Sequence, residues 1–289
     1  MNPYIQSLRL RTLPLSVSGI ILGTGLAWKA FPQPLPEGKE VLIFALAICT
    51  TLSLQILSNL CNELGDAQKG TDTDQQGREA YGLQAGTITE KQMKGMIWLF
   101  VGLCVLFGIS LIYSAFGSLI CWQSIGFAGL GLFAIIGAVT YTLGKHSYGY
   151  LGLGDLGVFV FFGLVSTLGA YYLQVQTMTC EVVWSGVAIG LPCVGVLNLN
   201  NLRDMPNDLA HGKRTFASLL GQTGGRVYHT LLLAGCLGIF AAYGHYWTLC
   251  VIPVWAWHLY FVWSHCEKLD KQMPVLMITT LFVAILALI

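Results

Sequence analysis

Two polar stretches in an otherwise apolar chain repeat one spacing of oxygen donors. The first reads Asn59-Leu-Cys-Asn62-Glu63-Leu-Gly-Asp66-Ala-Gln-Lys69-Gly70-Thr-Asp72-Thr-Asp74. The second reads Asn198-Leu-Asn200-Asn201-Leu-Arg203-Asp204-Met-Pro-Asn207-Asp208-Leu-Ala-His211-Gly-Lys213-Arg214-Thr215. On a helix Asn62 and Asp66 share one face, and so do Asn200, Asp204 and Asp208, with Asn201 beside them. Gly70 can end the first helix, leaving Asp72 and Asp74 on a loop that can fold back. Carboxylate and amide oxygens are hard ligands suited to Mg²⁺, which binds through one or two carboxylates plus substrate phosphates. Lys69, Arg78, Arg203, Lys213 and Arg214 stand beside the acids and can take phosphate charge. Such a mixture of signs beside apolar runs points to a metal-bridged diphosphate. One cluster alone would read as a solvated loop; two at helical spacing, each at the mouth of an apolar run, argue against that. An ion or substrate pathway in a transporter remains the reading from a different class, weakened because the acids lie at helix ends and in loops.

The elements that must position these residues are membrane helices. Only 10% of the 289 residues are charged and 55% are apolar, against roughly 25% charged in a soluble domain. A soluble globular enzyme and a disordered chain are both excluded. The net charge of +1 speaks against nucleic acid as a partner. A span needs about 20 apolar residues, and nine runs qualify: 13–31, 41–61, 95–115, 118–143, 155–177, 182–201, 227–246, 247–265 and 272–289. The first is read as a membrane helix rather than a signal peptide, because it ends in Trp28-Lys-Ala-Phe instead of small residues. With the N-terminus on the cytoplasmic side, 13 of the 15 Lys and Arg fall inside, and only Lys29 and Lys39 outside. Two long polar connections, 62–94 and 202–226, then face the cytoplasm with both acidic stretches, as does the Gly- and Tyr-rich segment 144–154. The expectation is one all-helical unit over 1–289. The two Asn-x3-Asp patterns, four spans apart, suggest duplication of a four-helix unit.

These residues resemble the UbiA superfamily of intramembrane prenyltransferases, and within it the branch acting on 1,4-dihydroxy-2-naphthoate in menaquinone synthesis. Arg9-Leu-Arg11-Thr12-Leu-Pro14, Gly70-Thr-Asp72-Thr, Gly152-Leu-Gly154-Asp155, Phe161-Phe-Gly, Gly169-Ala-Tyr171-Tyr172, and Asn200-Asn201-Leu-Arg203-Asp204 through Gly212-Lys213-Arg214-Thr215 carry the resemblance. Two departures are Leu10, where proline is usual, and Glu63, where aspartate is usual. The resemblance implies nine helices around a central cavity in the bacterial cytoplasmic (inner) membrane, with both Asp motifs over its cytoplasmic mouth. It implies transfer of a polyprenyl group from its diphosphate to the ring, with loss of CO₂ and diphosphate, giving demethylmenaquinone; 4-hydroxybenzoate and homogentisate are the alternative acceptors. On this reading Asn62, Asp66, Asp204 and Asp208 hold Mg²⁺, the three aspartates being catalytic. Asp72, Asp74, Asn200 and Asn201 are further ligands. Lys69, Arg78, Lys145, Arg203, Lys213 and Arg214 hold diphosphate. Arg9 and Arg11 meet the acceptor, and Tyr141, Phe161, Tyr171 and Tyr172 steady the allylic cation. Membrane lipid surrounds the protein; no oligomeric state follows.

Other signals carry less. Gly152-x-Gly154-x-x-Gly157 has the letters of a dinucleotide fingerprint but opens a membrane helix and lacks the strand that motif needs. Gly19-x3-Gly23 and Gly186-x3-Gly190 suit close helix packing within the chain. The nine cysteines contain no CxxC and read as small apolar residues. The six histidines form no ligand spacing, and the tryptophans Trp28, Trp122, Trp184 and Trp247 mark span ends.

Overall fold

The computed structural model describes residues 2–30, 38–70, 82–144, 147–264 and 269–289, and among these it contains no β-strand. The long helices are numbered here in chain order. They are α1 Leu13–Ala30, α2 Lys39–Lys69, α3 Glu90–Phe116, α4 Trp122–Thr140, α5 Gly154–Val175, α6 Cys180–Ala210, α7 Phe216–Ala242, α8 Ile252–Ser264 and α9 Leu269–Leu286. Pro3–Ser7 forms a short helix before α1. Among the described residues eight helices are long and apolar enough to cross a membrane. The expected span 247–265 is the composite one: a 3₁₀ segment, Tyr246–Val251, runs into the 13 residues of α8. Six residues at about 2.0 Å and thirteen at about 1.5 Å rise roughly 31 Å end to end, which matches a hydrocarbon core of about 30 Å.

Local chemistry sets the helix ends. Gly70, at φ 72°, stops α2, since the left-handed region is open to glycine. Thr89 with Gln92 and Thr215 with Ser218 form reciprocal capping boxes that start α3 and α7. The expected connections 62–94 and 202–226 are therefore largely helix: α2 runs eight residues past residue 61, α6 reaches Ala210, and α7 begins at Phe216. The fourth span is shorter than the expected 118–143, covering only Trp122–Thr140. Gly221, at φ 71° and ψ 175°, breaks α7 after its first turn.

Close contacts hold one half of the bundle. A Cβ on Gly163 would stand 2.6 Å from Gly190 Cα and 2.8 Å from Gly186 O, so α5 and α6 meet backbone to backbone. Gly19 and Gly23 bring α1 equally close to Ser166 and Thr167 of α5. The small-x3-small pairs are thus spent inside the chain. The main core joins α1, α5, α6, α7, α8 and α9 around Leu22, Leu199, Leu233 and Leu276. Buried in it, His229 of α7 and His258 of α8 approach to 2.9 Å between Nε2 atoms, and His258 Nδ1 lies 3.0 Å from Gln272 Oε1 of α9. This pair, distant in sequence, is a polar tie between three helices. A second cluster joins α2, α3 and α4 around Leu57, Leu60 and Met93.

Candidate active site

A cavity of about 470 Å³ lies between the two halves. Asn62 and Asn200, the first residues of the two repeated patterns, both line it. The aspartates follow on the same helical faces: Asp66 one turn beyond Asn62, then Asp204 and Asp208 one and two turns beyond Asn200. These turns stand past the apolar stretches of α2 and α6. Burial pushes the Asp208 carboxyl up to about 6; Lys213 pulls it down, and the charges of Asp204 and Asp66 push it up. The two motifs converge through Tyr150, which bonds Asp66 of α2 and faces Lys213, the partner of Asp208 of α6. Lys69 is lowered by burial, raised by Asp66 and lowered by Lys213.

The 141–150 segment links the motifs. The Tyr150 hydroxyl donates to Asp66 Oδ1 at 2.9 Å. Lys69 Nζ stands 3.7 Å from the centre of the Tyr150 ring, and Lys213 Nζ stands 5.5 Å from it. One aromatic face thus takes a cation from each motif. Lys69 also donates to Thr142 O at 2.8 Å and to the Ser147 hydroxyl. Thr142 Oγ1 lies 3.0 Å from Asn62 Oδ1, and Lys213 Nζ lies 3.2 Å from the Asp208 carboxylate. Arg214 joins through its backbone N–H, which donates to Tyr150 O at 3.2 Å, while its side chain is exposed.

Two expectations need correcting. Arg203 does not face open phosphate space. Its guanidinium grips both Asp204 oxygens at 2.8 Å, Asn200 Oδ1 at 2.6 Å and Asp270 Oδ1 at 2.5 Å, so it orders the second motif from behind. Tyr171 does not line the cavity: 1% exposed, it is a core residue, because its position on α5 turns it toward the main core. Its neighbour Tyr172 stacks on Phe127, a cavity-lining ring, with centroids 5.9 Å apart. Glu63, which stands where aspartate is usual, is buried and accepts from the Ser7 hydroxyl at 3.3 Å and Leu83 N–H at 2.7 Å, tying the N-terminal segment to the chain after α2. Asn201 is buried and off the cavity wall, and Arg11 is exposed. Arg9, Tyr141 and Phe161 do line the cavity. Asp72, Asp74, Arg78 and Lys145 lie outside the described residues.

Sequence reasoning missed Gln55, Asn59, Tyr148 and Tyr150. Gln55 and Asn59 could have been found by extending the Asn62–Asp66 stripe backwards, since 55, 59, 62 and 66 follow helical spacing. Tyr148 meets Tyr141 edge to face at 5.2 Å and lines the cavity; nothing local distinguishes it or Tyr150 from other loop tyrosines. The oxygen set of Asp66, Asp204, Asp208, Asn62 and Asn200 suits a hard divalent cation. Among the described residues no three carboxylate, histidine or cysteine side chains close on one point. An ion would therefore draw further oxygens from water and from a phosphate ligand, as Mg²⁺ commonly does.

Known proteins share this architecture. Residues 16–286 match the family model described as the UbiA prenyltransferase family. A 1,4-dihydroxy-2-naphthoate octaprenyltransferase of Haemophilus influenzae is 39% identical over 96% of this chain and 90% of its own. One of Escherichia coli is 40% identical over 88% of this chain and 79% of its own. A UbiA homologue of Archaeoglobus fulgidus, solved bound to GPP and Mg²⁺, superposes with a TM-score of 0.62 at 12% identity, covering 98% of this chain and 99% of its own. The match runs from the end of the first turn of α1 to the end of α9 and takes in both oxygen-bearing helix ends, so the chain belongs to the UbiA prenyltransferase family.

Proposed function

We propose that this protein transfers a polyprenyl group from its diphosphate to 1,4-dihydroxy-2-naphthoate, releasing CO₂ and diphosphate and yielding a demethylmenaquinol, the hydroquinone that a separate two-electron oxidation, such as by air, converts to the demethylmenaquinone. The observation that carries this is the placing of Asn62 and Asn200 at one cavity, with the aspartates and lysines beyond them and an apolar wall within. The acceptor is supported by the relatives at 39 and 40% identity. Asp66, Asp204, Asp208, Asn62 and Asn200 would hold Mg²⁺, which when bound neutralises diphosphate charge and makes it a better leaving group. Lys69 and Lys213, held against the Tyr150 ring, turn toward that same charge; Lys145, Arg78 and Arg214 complete the cationic set, with Asp72 and Asp74 as further ligands.

The reaction places demands that these residues meet. As the C1–O bond of the prenyl diphosphate breaks, the allylic carbon becomes electron-poor and must be kept from water. The cavity walls do this, and the faces of Tyr141, Tyr148 and Phe161 stabilise positive charge. The acceptor ring supplies the electron pair for the new C–C bond. Its carboxylate leaves as CO₂, returning its bonding pair to the ring. The basic-residue distribution supports a cytoplasmic N-terminus and cytoplasmic active site in a bacterial inner membrane.

The test uses membranes containing the protein, Mg²⁺ and a polyprenyl diphosphate, with 1,4-dihydroxy-2-naphthoate and 4-hydroxybenzoate offered in parallel and lipid products identified by mass. A magnesium-dependent prenylated naphthoquinone from the first acceptor alone is expected. Product from the second alone overturns the acceptor, and product from neither, together with solute uptake into vesicles, would point to a transporter.

A further inference from the structure

A run of polar side chains lies along one side of the cavity. Arg9, Thr12, Ser16, Gln55, Ser58 and Asn59 face it from the N-terminal segment, α1 and α2, whereas α3 and α4 supply an apolar wall that includes Ile109, Ile112, Leu130 and Ile135. Hydrogen bonds on the polar side dictate how each amide is turned. Asn59 lies 2.9 Å from the Leu8 carbonyl oxygen, which only accepts, so Asn59 presents Nδ2 there and Oδ1 to its neighbour. Gln55 must then offer Nε2, which lies 3.1 Å from Asn59 Oδ1 and 3.1 Å from Thr12 Oγ1. The Thr12 hydroxyl gives its proton to Arg9 O at 3.0 Å and accepts from Asn59 Nδ2 at 3.1 Å. Turning the Gln55 amide over would set its oxygen against two acceptors. Both protons of each amide are therefore used, and Gln55 Oε1 is the acceptor left over.

That oxygen is buried without a donor, on a residue 9% exposed that lines the cavity. A buried amide oxygen lacking a donor is unfavourable, and its place on a ligand cavity points to a donor carried by the ligand. A prenyl tail carries none; a phenolic ring does. Gln55 is seven residues before Asn62 on α2, so it lies about 10 Å deeper than the mouth, beneath a diphosphate seated on the Asp motifs. We infer that Gln55 Oε1 accepts a hydrogen bond from a ring hydroxyl of the aromatic acceptor, which makes Gln55 a specificity-determining residue. The Thr12–Gln55–Asn59 side seats the ring, and the α3–α4 wall seats the prenyl tail. The inference rests on the reading that the substrate is a hydroxylated aromatic acid.

The test measures full-length protein in lipid nanodiscs with Mg²⁺ and a polyprenyl diphosphate. The KM for 1,4-dihydroxy-2-naphthoate is compared with inhibition constants of 1-hydroxy-2-naphthoate and 4-hydroxy-2-naphthoate, so that ring reactivity drops out. Wild type, Gln55→Met and Gln55→Lys are assayed, with thermal unfolding as a check on folding. Lysine keeps donors toward Asn59 and Thr12 while removing the oxygen, so it holds the network if methionine loosens it. Wild type should prefer the dihydroxy acid over one monohydroxy analogue by at least about tenfold, because sites built to bond a hydroxyl reject ligands lacking it. Both variants should flatten that preference, with the KM for polyprenyl diphosphate unchanged. A wild-type preference retained in either folded variant, or no preference in the wild type, overturns the role of Gln55 alone. No prenylated product from the wild-type protein overturns the functional reading itself, and the inference with it.

Discussion

The two halves of the bundle are built differently. In the most apolar stretch of α6, 72% of residues are buried inside the protein, whereas in α4 the figure is 11%. Around α6, glycines let helices touch backbone to backbone, and the second Asp motif is carried on a rigid stem. Around α4, three glycines, Gly126, Gly129 and Gly131, would meet nothing within 4 Å if given a Cβ, and the helix is a single layer between cavity and lipid. The contrast separates two tasks. On the proposed reading, diphosphate chemistry needs oxygen and nitrogen atoms fixed in space, and the thick half fixes the second of the two Asp motifs while α2 carries the first. A long apolar tail needs only a wall without donors or charges, and the thin half supplies that.

The contrast can be broken most severely at the mouth. Asp66→Asn and Asp208→Asn should each lower prenyl transfer about 10²–10³-fold, as loss of a group that stabilises developing charge does, while thermal unfolding stays close to wild type. Removing divalent cations with a chelator should stop transfer in the unaltered protein, and added Mg²⁺ should restore it. Within the thick half, Leu199→Ala opens a hole at a fully buried site and should lower stability by about 2–5 kcal/mol. Leu132→Ala on α4, 60% exposed at the cavity rim, should change stability by no more than about 0.5 kcal/mol while altering the KM for polyprenyl diphosphate. Thermal unfolding in detergent reads both. Gly163→Ala should lower stability by about 1–3 kcal/mol through overpacking, with Gly129→Ala neutral. Among the substitutions at the mouth the smaller effect is expected for Tyr150→Phe, which keeps the ring between Lys69 and Lys213 and loses the hydroxyl that bonds Asp66. Its kcat should fall roughly tenfold, as expected for one bond to a charged group.

Much of this was legible in the chain. Apolar run lengths marked the spans, and Gly70, Thr89 and Thr215 end or start helices by chemistry confined to a few neighbouring residues. The Asn62–Asp66 and Asn200–Asp204–Asp208 spacings announced oxygen faces because helical period alone aligns them. Reading failed where a residue's partner is remote. Tyr171 and Tyr172 are adjacent and alike, yet one enters the main core and the other stacks on Phe127. Arg203 looks like a phosphate ligand until Asp270, 67 residues away, is brought beside it. The break at Gly221 and the composite eighth crossing also depend on packing rather than on local preference.

The sequence by itself determined that this chain must live in a membrane, which runs of it cross, and that two polar stretches at the mouths of those runs carry hard oxygen ligands beside lysines. Those properties follow from hydropathy, period and capping, all of which act within a few turns. Only the tertiary structure decided which faces meet: that Asn62 and Asn200 share one cavity, that Tyr150 takes a lysine from each motif, and that Gln55 is left with a buried acceptor that receives no donor. The physical reason is that side-chain partners are chosen by how closely helix backbones approach, and that approach is set by small residues far apart in the chain, such as Gly163 against Gly186 and Gly190.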